Sequence, residues 1–241
     1  DSEDYKRVCE LVGQGRNAEA YAIATRYQTT GNALKAVFKD AEITFVHGEL
    51  RLNGERMSEA QSARIGEFST RGIPVDPFLM FVARLQRNPS VRARTSLLEW
   101  ITANNMPVTE DGCFIAFKIV KEDYWDIYTG KTFYHKPGSV VSMERGDVDE
   151  DPDRTCSSGA HFCGEGYLPY YGTRNGNRIV ILKIAPEDVV SFPTDYNLAK
   201  GRACGYKVIQ ELQRSSVKKY LSTIDRAFVN TDDAQEHANS L

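Results

Sequence analysis

Asn177-Arg-Ile-Val-Ile-Leu-Lys-Ile184 is the strongest strand signal in the chain. It is rich in β-branched side chains, preceded by Gly-rich turn residues and followed by Ala185-Pro186, the pattern of a strand bounded by turns. On its C-terminal side Val189-Val-Ser-Phe192 and Tyr206-Lys-Val-Ile209 are further strand candidates. On its N-terminal side Cys113-Phe-Ile-Ala-Phe-Lys-Ile-Val120 and Ser139-Val-Val-Ser-Met143 read the same way. Between these two, Asp126 to Tyr134 reads as a hairpin with Thr129-Gly130 in its turn. Residues 107–212 therefore form a mainly antiparallel β half.

Upstream the period changes to 3.6. Residues 3–13 and 17–27 read as helices separated by Gly13-Gln-Gly15, and a helical turn is expected over 31–40. Ile43-Thr-Phe-Val46 and Glu49-Leu-Arg-Leu52 are short β runs around His47-Gly48, with Asn53-Gly54 after them, so a small hairpin or meander is expected. Three helices follow. Ser58 with Gln61 is a capping box opening a helix to about Thr70. Asp76-Pro77 sets a cap with Pro at the first position, and Asn88-Pro89 restarts the pattern in the same way. The helix from Ser90 stops near Asn104-Asn105, and Pro107 blocks its continuation. Residues 1–106 are thus a mainly helical region with a short hairpin, and 213–241 a C-terminal helix with a frayed tail. The fold class is α+β, with peripheral helices around the β half.

The 241 residues are 41% hydrophobic and 26% charged, with a net charge of -3, as in an ordinary soluble globular protein. No overall basic field marks a broad nucleic-acid footprint. No apolar run approaches the ~20 residues of a membrane span, and the acidic start, Asp1 to Asp4, does not look like a leader peptide. Five widely spaced cysteines (Cys9, Cys113, Cys156, Cys163 and Cys204) suit reduced thiols rather than a disulfide scaffold.

The densest chemistry lies in Thr155-Cys-Ser-Ser-Gly-Ala-His-Phe-Cys163. Cys156, His161 and Cys163, with Cys204, offer the ligand types of a structural zinc site; the plain alternative is that the thiols behave as small buried hydrophobes. Cys156 with His161 could form a nucleophilic pair. Tyr167, Tyr170 and Tyr171, beside Gly164-Glu-Gly166, could stack on a base, or could pack a helix face against the sheet. Neither standard phosphate loop is present. Arg84, Arg87, Arg92 and Arg94, with Lys200, Arg202 and Lys207, could contact phosphate but read as solvated; His135 reads as a loop residue, and Gly159 with His161 as a turn against 177–184.

A series of motifs nonetheless points to a family. Arg87-Asn-Pro-Ser90, Val108 to Val120, Thr155 to His161, Pro186-Glu-Asp-Val-Val-Ser191, Pro193-Thr-Asp-Tyr-Asn197, Ala199-Lys-Gly-Arg202 and Cys204-Gly-Tyr-Lys-Val208 stand in fixed order. The string resembles the rIIB family of T-even bacteriophages, with Ala160 where that family carries Leu. The resemblance implies an early phage accessory protein in the bacterial host cytoplasm, tied to lysis inhibition and to overcoming prophage exclusion. It implies an rIIA-like partner or a host defence protein, contact with the membrane through a partner, and self-association as a further option. It implies no reaction, cofactor or catalytic residue. The family's helix-turn-helix-like N-terminal segment has no counterpart here, so nucleic acid is not an expected partner. The competing expectation is a nucleotide-like ligand, bound or modified in a polar pocket of His161, Asp195, Lys200, Arg202 and Tyr206; a zinc-binding interaction module is the third.

Overall fold

A computed structural model describes residues 2–20, 23, 43–46, 49–71, 73–170, 176–217 and 220. The helical turn expected over 31–40, the His47-Gly48 turn, Tyr171 and most of the C-terminal helix lie outside the described residues. The chain divides into two compact units, Asp1–Ala83 and Arg84–Leu241. The fold is α+β.

The first unit contains α1 (Ser2–Gly13), a helical stretch at residues 17–20, a three-stranded sheet and α2 (Glu59–Arg71). The sheet is an antiparallel meander of β1 (Ile43–Val46), β2 (Glu49–Leu52) and β3 (Glu55–Arg56). Asn53 and Gly54 join β2 to β3 with φ of 54° and 77°. Two successive positive φ values are the two-residue hairpin turn whose twist matches its strands, and Asn-Gly is the pair that adopts it at least cost. The capping box forms as its spacing predicts: Ser58 N donates to Gln61 Oε1 at 2.8 Å, and Gln61 N to Ser58 Oγ at 3.2 Å. The next helix, α3 (Asp76–Gln86), is apolar nearly all round and buried from Phe78 to Ala83, as expected of a core helix.

The second unit is built on a seven-stranded sheet of order β5-β10-β7-β4-β6-β9-β8. Its strands are β4 (Phe114–Val120), β5 (Val140–Ser142), β6 (Ala160–Cys163), β7 (Arg178–Ile184), β8 (Val189–Ser191), β9 (Lys200–Ala203) and β10 (Gly205–Leu212). Every pairing is antiparallel. The opening stretch is β7, between β10 and β4, and β4 is buried at every residue. A strand buried on both faces reads as a continuous apolar run. Helix α4 (Val91–Asn104) places Trp100 on the sheet, stacked on Phe192 at 5.6 Å and edge-on to Phe162 and Phe114 at 5.2 and 5.9 Å. Such pairs each add about 0.5–1.5 kcal/mol beyond their buried area.

Three local expectations change. Gly159 and His161 do not turn against 177–184, because β6 runs between β4 and β9. Asp126 to Tyr134 has one bridge, Trp125 to Tyr134, rather than a ladder. The Asp126 carboxylate accepts from Tyr128 N at 2.9 Å and Thr129 N at 3.1 Å, so a side chain closes the loop. Asn88 is not a helix cap. Ser90 caps α4, accepting from Ala93 N, and Asn88 is buried.

Asn88 instead joins its own motif to residues 186–191. Its Nδ2 donates to the carbonyls of Pro186 and Val189 at 2.8 and 2.7 Å, and its Oδ1 accepts from Arg145 at 2.9 Å. Arg84 pairs with Glu187 at 2.7 Å and donates to the carbonyl of Asp111; it is not a solvated charge. Asp111 pairs with Lys183 at 2.6 Å. Arg87-Asn-Pro-Ser90, the Thr109 to Gly112 turn and Pro186 to Ser191 are therefore parts of one clasp that fixes the ends of β4, β7 and β8.

Candidate polar cavity

The remaining motifs meet elsewhere. β4 and β6 pair through Phe117 and Cys163. A cavity of about 640 Å³ lies beside that pairing. Thr155 to Ser158 line it from one segment, and Asp195, Tyr196 and Lys200 from another. The two polar clusters singled out in the sequence thus share one space. Among its walls are the edges of Lys118, Asp126 and His161 and the rings of Tyr128, Tyr167 and Tyr170.

Arg202, wholly buried, builds one wall without lining it. Its guanidinium donates to the carbonyls of Asp149 at 2.9 Å, Asp151 at 3.0 Å and Arg154. Those bonds fix the loop that delivers Thr155 and Cys156. Gly159 stands where a Cβ would come within 3.2 Å of the Arg202 side chain. Ser157 donates to Asp149 at 2.5 Å and Ser158 to the carbonyl of Asp147 at 2.6 Å. The hydroxyls in Cys-Ser-Ser-Gly therefore hold the loop.

Lys200 pairs with Asp195 at 2.7 Å, donates to the carbonyl of Thr155 at 2.8 Å, and lies over the rings of Tyr167 and Tyr196. It ties the two clusters together. Tyr196, Asn197 and Leu198 all have φ near +50°: 49°, 55° and 57°. Left-handed backbone costs about 1–2 kcal/mol for each residue with a side chain, Asn least. This strained turn carries the Tyr196 ring to the cavity rim.

Lys118 and Asp126 form a buried ion pair at 2.8 Å, with side chains 4% and 5% exposed. Burial alone would raise the Asp126 pKa, but the Lys118 charge and hydrogen bond, with two backbone N–H groups, hold it well below the usual carboxylate range. Lys118 also donates to the His161 carbonyl at 3.1 Å, as does Tyr206 Oη at 3.3 Å. His161 Nε2 accepts from Arg202 Nε at 3.4 Å. Because Arg202 can only donate, the ring proton is assigned to Nδ1. Burial, then the charges of Lys118, Arg202 and Lys200, pull the His161 pKa down to about 3, so the imidazole is neutral at pH 7.

Of the five ligand candidates, His161, Asp195 and Lys200 line the cavity; Arg202 and Tyr206 stand behind it as supports. Of the four zinc candidates, Cys156, His161 and Cys163 line it, while Cys204 turns to Asp188 at 3.7 Å. Cys163 donates to the Phe117 carbonyl at 3.3 Å, and burial pushes its thiol up to about 12. Among the described residues no three His, Cys, Asp or Glu side chains are grouped to hold a metal. Cys156, at the cavity, and Cys204, on Asp188, have different surroundings.

His135 lies in a loop, as expected, but is fully buried there, with Nε2 at 3.1 Å from Tyr206 Oη. Lys118 and Asp126 were also missed, although a lysine inside Phe-Ile-Ala-Phe-Lys-Ile-Val is itself a sign of a buried partner. Burial first, then the Lys118 charge, pull His135 down to about 4. Unfolded His titrates near 6.5, so between these values the unfolded chain binds the extra proton. Its contribution to stability is complete above about pH 6.5 and falls with pH at ~1.4 kcal/mol per unit until about pH 4. Denaturant midpoints at pH 7, 5.5 and 4.5 are expected to fall in that order, and His135→Gln to flatten the decline. A pH-independent midpoint would contradict the assignment.

The family described as Bacteriophage T4 protein rIIB matches residues 1–217. The chain belongs to the rIIB family. Protein rIIB of Enterobacteria phage T4 is 36% identical to it over 175 residues, 70% of this chain and 55% of the T4 protein. This rIIB-family chain thus spans about half the length of the curated relative. No solved structure matches it. Among the described residues no helix is long and apolar enough to cross a membrane.

Proposed function

We propose that this rIIB-family chain is a phage accessory protein, acting in the host cytoplasm by protein–protein contact to counteract a host or prophage defence and modulate lysis. The observation that carries this reading is the family match over residues 1–217. An rIIA-like phage protein is the proposed partner, with any membrane association running through it. The test is co-expression of a tagged chain with the rIIA-like protein of the same phage, followed by affinity purification at physiological salt. Recovery of the two in fixed ratio supports the reading; recovery of rIIA-like protein no greater than from an untagged control overturns it.

A second reading is favoured by one specific observation: residues 155–158 face the same cavity as Asp195, Tyr196 and Lys200, joined by Lys200 on the Thr155 carbonyl. Under it the β-rich unit binds a nucleotide-like small molecule. The two readings are compatible, because a bound ligand can set the affinity for a partner.

A further inference from the structure

The geometry points to an uncharged nucleoside as the cavity's ligand, its base stacked on Tyr196 and its hydrogen-bonding edge on His161 and Lys118. This rests on the ligand reading above and narrows it. Four observations carry it.

The volume, about 640 Å³, lies inside the usual range for small-molecule sites. The rim is aromatic: Tyr196 meets Tyr167 at 4.8 Å and Tyr170 at 5.5 Å, yet Tyr196 and Tyr170 stay 49% and 68% exposed. The exposure of these two rings leaves aromatic surface open at the mouth of the cavity. Here a run of three left-handed residues holds one of them at the opening, and strain of that kind gathers where a side chain must be presented.

The polar groups offer both halves of a base's hydrogen-bonding pattern. His161 presents an Nδ1–H donor. The Lys118 ammonium has three protons, two of them on the His161 carbonyl and Asp126. Asp195 Oδ1 is buried without a hydrogen-bond partner, an acceptor awaiting a donor. An unmet buried acceptor is costly unless something fills it.

Charge then selects among nucleobase compounds. Lys118 is neutralised by Asp126 and Lys200 by Asp195, and the imidazole carries no charge at pH 7. A phosphate inside the cavity would have to break one of these pairs or remain uncompensated in a low-dielectric site. A neutral heteroaromatic ring with donor and acceptor edges satisfies the same groups at no such cost. Stacking on tyrosine is available to any base.

The test titrates the full chain at pH 7 with adenosine, guanosine, cytidine and uridine and with their 5′-monophosphates, read by tyrosine fluorescence and ligand-observed NMR. The expected result is binding of at least one nucleoside with Kd below about 1 mM, its monophosphate binding no tighter. Tyr196→Asn keeps a residue suited to left-handed backbone while removing the ring, and should weaken binding about tenfold. Val140→Ala, on the exposed edge strand, should leave it unchanged. A monophosphate binding more than about tenfold tighter than its nucleoside overturns the uncharged-ligand proposal and leaves the nucleotide-like reading standing. Absence of binding by every compound overturns both. So does binding unaffected by Tyr196→Asn in a folded variant, because the ligand would then lie outside this cavity.

Discussion

Replacing Lys118 with methionine is expected to destabilise the protein by about 3–5 kcal/mol at pH 7, the usual cost of removing one partner from a buried ion pair. The reason is what stays behind. Asp126 is buried and its outer oxygen is met by Lys118. The His161 carbonyl would lose one of its donors at the same time. The pH dependence makes the prediction specific. In the native chain the folded Asp126 pKa is depressed, so its contribution is present above the ordinary carboxylate pKa and is lost as pH falls through that range toward the folded value. In Lys118→Met the two largest opposing causes are gone, and desolvation is met only by the two backbone N–H groups, so the folded pKa rises from its depressed position. The difference between the two proteins should therefore be large at pH 7 and shrink toward pH 3. Chemical denaturation of both at several pH values measures it. The double variant Lys118→Met/Asp126→Asn should recover part of the loss, because the neutral amide strands no charge and its oxygen still accepts from Tyr128 N and Thr129 N. A pH-independent difference would show that the lost packing of the lysine stem, rather than the stranded carboxylate, dominates.

Gly201→Ala is expected to lower stability by about 3 kcal/mol, a fall in Tm of roughly 6–12 °C for a chain of this size. Gly201 faces Phe162 across the β6–β9 ladder. A Cβ there would lie within 3.0 Å of three atoms of the Phe162 ring. The ring cannot yield easily, being held by Trp100 at 5.2 Å, Phe114 at 5.7 Å and Phe192 at 6.2 Å. Gly201→Val should abolish the cooperative transition. Phe162→Leu in the Gly201→Ala background should restore part of the loss, a coupling that a double-mutant cycle reads directly. Additive effects of the two changes would mean that the clash is relieved by backbone movement and not by the ring.

Both positions show how far the sequence can be read. Gly201 belongs to Ala-Lys-Gly-Arg, which has neither the length nor the alternation of a strand. It is a strand because β6 and β8 supply partners on either side. Lys118 sits in a run whose apolar content announces a buried strand, but nothing local tells where its charge is met. Asp126 lies in a loop, and the pair exists only when that loop folds over β4. The cavity follows the same rule. Each polar cluster was visible by composition, and their meeting was not, since 155–158 and 195–200 are joined by side chains fixed in separate strands and turns.

What the sequence determined by itself is the local grammar: the capping box at Ser58, the Asn53-Gly54 turn, the stop of α4 at Asn105, the strands β4 and β7, and membership of the rIIB family through an ordered motif string. These depend on neighbours a few residues apart, where backbone preference and side-chain caps decide. Only the tertiary structure decided the strand order, the division of the motifs between an Asn88 clasp and a polar cavity, the burial of His135, and the turn of the Cys204 thiol to Asp188. Each of these depends on which distant groups satisfy a buried charge, carbonyl or ring, and no spacing along the chain encodes that.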